Sequence, residues 1–167
     1  DDKEAMLAPG SSRVFSFEIN FATPLIGRQR YTHEVLEATY RNDIAGARTF
    51  GFLHEVEQLR KLGLARGGSL SNAIVIDGDK VMNPDGLRFK DEFVRHKILD
   101  AMGDIYLAGL QIIGHYHGLR AGHAMNNKLL GALFAQPDCY EIVELAKAPA
   151  RVGAGRGVHA GLVPVTA

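Results

Sequence analysis

Residues 95–104 read Arg-His-Lys-Ile-Leu-Asp-Ala-Met-Gly-Asp, and the reading of this run decides what the rest of the chain has to be. The pattern predicts one helix over 91–108. At about 100° per residue, Asp100 lies about 40° and Asp104 about 80° around the axis from His96. A His and an Asp one turn apart converge, and such a pair can grip one divalent metal. The same stripe can also be read as the solvated face of an amphipathic helix. Val94, Ile98, Ala101, Met102 and Ile105 form an apolar stripe on the opposite side, but Phe93, Gly103 and Leu107 fall on the His/Asp side. A helix apolar on both flanks is expected to be covered on both, and buried carboxylates and imidazoles need partners. Gly103, which costs about 1 kcal/mol relative to Ala in a helix interior, is expected to permit close approach of another element.

A second run, Gly-His-Ala-Met-Asn-Asn-Lys-Leu-Leu at 122–130, opens a helix predicted over 122–134, with Leu129, Leu130, Leu133 and Phe134 available for packing. His123 sits just inside its start and is either a capping residue or a functional one. Asn126 and Asn127 are poor helix formers, which suggests that specific contacts hold them.

Around these two helices, residues 13–21 alternate apolar and polar side chains and read as a half-buried strand. Residues 31–40 are expected to pair with it as a second strand. Residues 42–48 read as a loop or helical turn, 55–62 as a helix stopped by Gly63, and 73–77 as a short strand. Residues 77–80 form a tight turn, and 112–119 read as another strand. The mixture lacks a βαβ rhythm and favours an α+β two-layer sandwich, a β-sheet packed on α-helices with a small inserted strand-helix-strand segment. The Gly-, Ala- and Pro-rich residues 147–167 are expected to be a loose tail.

The bulk numbers exclude several classes. Nineteen basic and nineteen acidic residues cancel, leaving no broad field for nucleic acid or an anionic membrane. No apolar run reaches the length of a membrane span. The single cysteine, Cys139, excludes an internal disulfide and a Cys-rich zinc site, and fits a reducing compartment. It reads as structural or incidental. The chain starts at Asp1 with neither an initiator Met nor a signal peptide, as expected of a processed chain or a piece of a longer one.

Together with Ala-Arg-Thr-Phe-Gly-Phe at 47–52, Leu-Arg-Phe-Lys-Asp-Glu-Phe-Val at 87–94 and Ala-Ile-Val-Ile at 73–76, the two runs resemble the carboxy-terminal domain of the zinc-dependent UDP-3-O-acyl-N-acetylglucosamine deacetylases of lipid A biosynthesis. The resemblance covers roughly residues 14 to 135. It implies that residues 1–146 are the second domain of a two-domain zinc enzyme, with an acyl-passage insert at about 47–80. His96 and Asp100 match two of three zinc ligands. His123 matches the histidine that stabilises the developing oxyanion or protonates the leaving amine, and Asp104 the carboxylate that orients it. Thr49 matches the residue beside the substrate carbonyl, and Lys97 one that contacts the anionic part of the substrate. Arg120 falls where relatives carry Lys, which keeps the charge but changes the geometry. Phe50, Leu53, Val56, Ala65 and Val75 match a hydrophobic passage for the fatty acyl chain, although core packing explains the same residues.

One departure is large. The family draws its third zinc ligand and its general base from a Glu-His pair in the amino-terminal domain, and this chain has no Glu-His dipeptide. His33-Glu34 and His54-Glu55 run in the reverse order and read as surface residues of a strand and a helix start. His115 and His117, two apart on a strand, point the same way and could take a stray metal, but no family motif uses them. His159 lies in the tail and carries no signal. The resemblance therefore implies a cytoplasmic, Zn2+-dependent deacetylase of which this chain supplies about half the site and is inactive alone. A non-catalytic acyl- or nucleotide-sugar-binding module and a purely structural domain are the other readings.

Overall fold

The alternation of Arg13-Val-Phe-Ser-Phe-Glu-Ile-Asn20 puts Phe15, Phe17 and Ile19 on one side of a strand, and all three are buried. The computed structural model describes residues 2–144, 156–160 and 163–166. In chain order these give β1 (Glu4–Ala8), β2 (Arg13–Asn20), β3 (Arg28–Glu34), a single turn α1 (Glu37–Thr39) running into a π-helical turn at Tyr40–Ile44, β4 (Thr49–Phe52) and α2 (Leu53–Lys61). There follow β5 (Ala73–Asp77), β6 (Lys80–Val81), α3 (Glu92–Tyr106), β7 (Gln111–Leu119), α4 (His123–Phe134), a 3-10 turn at Pro137–Cys139, β8 (Tyr140–Glu144), β9 (Arg156–Ala160) and β10 (Val163–Thr166).

β7 is the spine of the main sheet. It pairs in parallel with β2, antiparallel with β1 along 115–119, and in parallel with β9 along 111–113. β3 lies outside β2, β10 outside β1 and β8 outside β9, which gives seven strands. One face of this sheet carries Ala5, Leu7, Phe15, Phe17, Ile112 and Tyr116, all buried. Against them pack Val94, Ile98, Ala101 and Ile105 of α3 and Met125, Leu129, Leu130 and Leu133 of α4. The other face, with Ser16, Thr32, His115 and His117, stays partly exposed. This is the expected α+β two-layer sandwich.

The expected strand-helix-strand insert is also present. β4 and β5 pair in parallel across α2, and β6 adds an antiparallel edge, so the insert has its own three-stranded sheet. Gly63, at φ 77°, ends α2 as expected, and Leu64 N–H reaches back to the Leu59 carbonyl at 2.8 Å.

Several expectations are corrected. The second strand is β3, which starts at Arg28 and ends at Glu34; residues 37–44 turn helically instead of extending it. The segment expected as a loose tail places β9 and β10 in the main sheet, pairing β9 with β7 and β10 with β1. No strand is expected at Glu4–Ala8, yet β1 holds a central place there. His33 is buried at 3% exposure, where a surface position is expected. The apolar cover on the His/Asp flank of α3 reaches Phe93 alone: Gly103 has open space within 4 Å, and Leu107 is 71% exposed. No helix of the described residues is long and apolar enough to cross a membrane.

Candidate active site

Helix α3 sets His96, Asp100 and Asp104 at successive turns, and the three are half-buried between the insert and α4. His96 Nε2 lies 3.2 Å from Asp100 Oδ1. That separation can be tested against a metal. Zinc bonds of about 2.0–2.2 Å in a tetrahedron place neighbouring donors about 3.3 Å apart. One imidazole nitrogen and one carboxylate oxygen at this spacing therefore fit two positions of a zinc site. They do not complete it, since no cluster of three or more His, Cys, Asp or Glu side chains suited to a metal occurs among the described residues.

The pair is held from behind. His96 Nδ1 lies 3.2 Å from the carbonyl of Ala47, which can only accept, so this nitrogen carries the proton. Lys97 Nζ donates to Asp100 Oδ2 at 2.7 Å. Burial disfavours charge on Asp100, but the His96 and Lys97 hydrogen bonds and their charges outweigh it and hold the carboxyl at about 2. Asp100 is therefore an anion throughout the neutral range.

One turn on, Asp104 accepts from three donor contacts. His123 Nδ1–H lies 2.8 Å from Oδ2 and 3.1 Å from Oδ1, and Asn126 Nδ2 donates to Oδ2 at 2.8 Å. Asn126 is buried at 1% exposure and accepts in turn from the Tyr116 hydroxyl at 2.6 Å. A relay therefore runs from Tyr116 on the sheet through Asn126 and Asp104 to His123, whose own side chain is 65% exposed. The expectation that Asn126 is held by specific contacts is met, whereas Asn127 is exposed. Asn126 and Tyr116 were not among the predicted site residues. An asparagine inside a helix was the available signal, and nothing local marked the tyrosine.

Thr49, Phe50, Leu53, Val56, Ala65 and Val75 all line one apolar cavity of about 520 Å³ between β4, β5 and α2. Leu59, Leu70, Ile74 and Met82 line it as well, and local pattern alone did not single them out. Phe50 joins this cavity to the metal-ligand candidates, with its ring edge-on to His96 at 6.2 Å and to Phe93 at 5.0 Å. Lys97 and Arg120 meet in a separate cleft of about 240 Å³ with Lys3, Asn20 and Phe21. Arg120 reaches its place through a left-handed backbone, φ 49°. The His115 and His117 rings lie tilted with centroids 3.7 Å apart on the far face of the sheet, and Ser16 Oγ engages His115 Nε2 at 2.8 Å. Cys139 is partly buried, with its thiol 3.7 Å from Gln136 Oε1.

A family model for UDP-3-O-acyl N-acetylglycosamine deacetylase matches residues 1–135. The chain is 51% identical over 146 residues to the UDP-3-O-acyl-N-acetylglucosamine deacetylase of Phenylobacterium zucineum, covering 87% of this chain and 50% of that protein. It is 49% identical over 148 residues to the protein of the same name from Aliarcobacter butzleri, covering 89% and 49%. Against that of Myxococcus xanthus the identity is 51% over 142 residues, covering 85% and 45%. The chain spans about half the length of the curated relatives it matches. A match that takes in α3, the insert and α4 alike is more than a shared helix motif, and the chain belongs to the UDP-3-O-acyl-N-acetylglucosamine deacetylase family.

Proposed function

We propose that this chain carries the acyl passage and half of the catalytic centre of a cytoplasmic, zinc-dependent enzyme that hydrolyses the N-acetyl group of UDP-3-O-acyl-N-acetylglucosamine in lipid A biosynthesis. The observation that carries the reading is the facing of His96 Nε2 and Asp100 Oδ1 at 3.2 Å, one helical turn from the Asp104–His123 pair. His96 and Asp100 are the residues that would hold zinc. A zinc ion bound there supplies Lewis acidity toward an amide carbonyl and toward water.

The chain's own residues supply the rest of the geometry. Amide hydrolysis places negative charge on the carbonyl oxygen and requires a proton on the departing amine. His123 is the group that serves one or both needs, because Asp104 fixes its Nδ1 proton and thereby the orientation of the ring. Thr49, an exposed residue that lines the cavity, stands beside the substrate carbonyl. Lys97 and Arg120, sharing one cleft, take the anionic diphosphate. Phe50, Leu53, Val56, Ala65 and Val75 line the passage for the acyl chain, which gains by leaving water. A third zinc ligand and the base that deprotonates water come from a Glu-His pair outside this chain, in an amino-terminal domain.

Two assays test this reading. The isolated chain is expected to bind zinc weakly and to leave UDP-3-O-acyl-N-acetylglucosamine intact. Joined to a domain that supplies the Glu-His pair, it is expected to release acetate in a zinc-dependent way. Near-normal turnover by the isolated chain would refute the half-site reading. Saturable substrate binding that is indifferent to zinc, with no turnover in the joined protein, would favour a non-catalytic binding module.

A further inference from the structure

We propose that the buried Arg48–Glu92 pair is a positioning device for His96, fixing the Ala47 carbonyl so that His96 offers Nε2, and not Nδ1, toward Asp100. The inference rests on the reading of His96 as a zinc ligand and adds residues that this reading does not use.

Glu92 is the first residue of α3, one turn before His96, and is completely buried. Four donor contacts converge on its carboxylate. Arg48 N–H and Nε reach Oε1 at 3.0 and 2.9 Å, while Arg48 Nη2 and Arg88 N–H reach Oε2 at 3.1 and 2.6 Å. Burial opposes its ionisation, but Arg48 and the two backbone N–H groups prevail and keep its pKa below the ordinary value. The consequence falls on the residue between the anchors. Arg48 is tied to Glu92 through its main chain, and Gly46 is tied through its carbonyl to Arg88 Nη1 at 2.9 Å. Ala47, itself buried, is thus pinned on both sides, and its carbonyl accepts from His96 Nδ1 at 3.2 Å. A carbonyl cannot donate, so the tautomer that presents a lone pair at Nδ1 is excluded.

Packing alone would not call for this pair. Apolar residues of similar volume commonly replace a buried ion pair with no loss of stability. What such residues cannot supply is the directional restraint on the segment leading into Thr49 and on the ring of His96. Hydrogen-bond partners behind a ligating histidine set its orientation, and their loss typically weakens metal binding about 10–100-fold.

The experiment is a zinc titration of the full chain against a chromophoric chelator, for the unmodified protein and for Arg48→Lys, Glu92→Gln, His96→Ala and the double variant His96→Ala/Arg48→Lys. Folding of each variant is checked by circular dichroism. Arg48→Lys keeps the buried charge but loses the forked geometry, and it is expected to weaken zinc binding about ten-fold, as is Glu92→Gln. In the His96→Ala background, Arg48→Lys is expected to cause no further loss. A further loss there, or affinities within about two-fold of the unmodified protein in folded Arg48→Lys and Glu92→Gln, would overturn the positioning role while leaving His96 a ligand. Unchanged affinity in His96→Ala would instead remove the ligand reading, and the inference with it. The unmodified chain provides a check that does not depend on any variant. Nitrogen-detected NMR should find a slowly exchanging proton on His96 Nδ1, and rapid exchange there would overturn the proposal.

Discussion

The Tyr116 hydroxyl donates a 2.6 Å hydrogen bond to Asn126 Oδ1, joining the central strand of the sheet to the helix that carries His123. Burial, with the nearby Asp104 charge, pushes the Tyr116 pKa above the ordinary phenol range, so the hydroxyl keeps its proton into alkaline solution. Replacing Tyr116 with Phe leaves a buried amide oxygen without its donor. The expected cost is about 1–3 kcal/mol, read as a lower urea midpoint at unchanged m-value.

At the far end of the same relay, Asp104 and His123 are expected to affect turnover but not metal content. His123→Ala in a protein holding both halves of the site should lower kcat by about 100-fold or more. Zinc per chain should stay level, because His96 and Asp100 are untouched. Asp104→Asn should give a smaller loss, since the ring then lacks the carboxylate that fixes its orientation. Zinc loss in either variant would contradict this division of labour.

His33 makes acid stability a measurable signature of the sheet. Burial pushes its pKa below the ordinary 6.5, with Asp43 pulling it up and Arg95 down. The unfolded chain therefore takes up a proton near 6.5 and the folded chain only at lower pH. The stability tied to this group is complete above 6.5 and declines as pH falls toward the folded value. Its Nε2 is buried without a hydrogen-bond partner. His33→Phe should flatten that decline and raise stability at acidic pH by about 1 kcal/mol, as followed by denaturation between neutral and mildly acidic pH.

The cavity of the insert predicts a change in selectivity. Val75 lies on β5 and lines that cavity, so Val75→Phe should narrow it. The ratio of kcat/KM for a long acyl chain to that for a short one should fall by about ten-fold for each one or two methylenes excluded. Turnover of the short-chain substrate should change little.

Legibility followed the strength of local pattern. The helices α3 and α4, the strand β2 and the insert strand β5 carry regular apolar spacing, and each was placed within a few residues. β1 was invisible because Glu4-Ala-Met-Leu-Ala8 holds no β-branched or aromatic residue; it is a strand because it lies between β7 and β10. β9 and β10 do carry β-branched residues, Val158, Val163, Val165 and Thr166, but these sit in a Gly- and Ala-rich stretch with Pro164 among them, and their partners lie far off in sequence. Gly103 misled in the other direction, since a glycine on a helix suggests close approach and here faces open space. At the site, His96, Asp100, Asp104 and His123 stood out through spacing and resemblance. Arg48, Glu92 and Tyr116 did not, because a buried ion pair and a buried hydroxyl acquire meaning only from the partners that folding brings to them.

The insert is a separate three-stranded sheet, whereas α3 and α4 rest on the main one. The cavity walls on α2 and β5 lie in the insert, His96, Asp100, Asp104 and His123 lie on the two helices, and Phe50 of β4 reaches both. Under the proposed function, substitutions drifting through α2 and β5 are expected to re-cut the length and girth of the tail that fits while sparing His96, Asp100, Asp104 and His123, whereas β4 is held to the site through Phe50 and the Ala47 carbonyl just before it. On that reading, a change in the fatty acid accepted would not require the chemistry to be rediscovered.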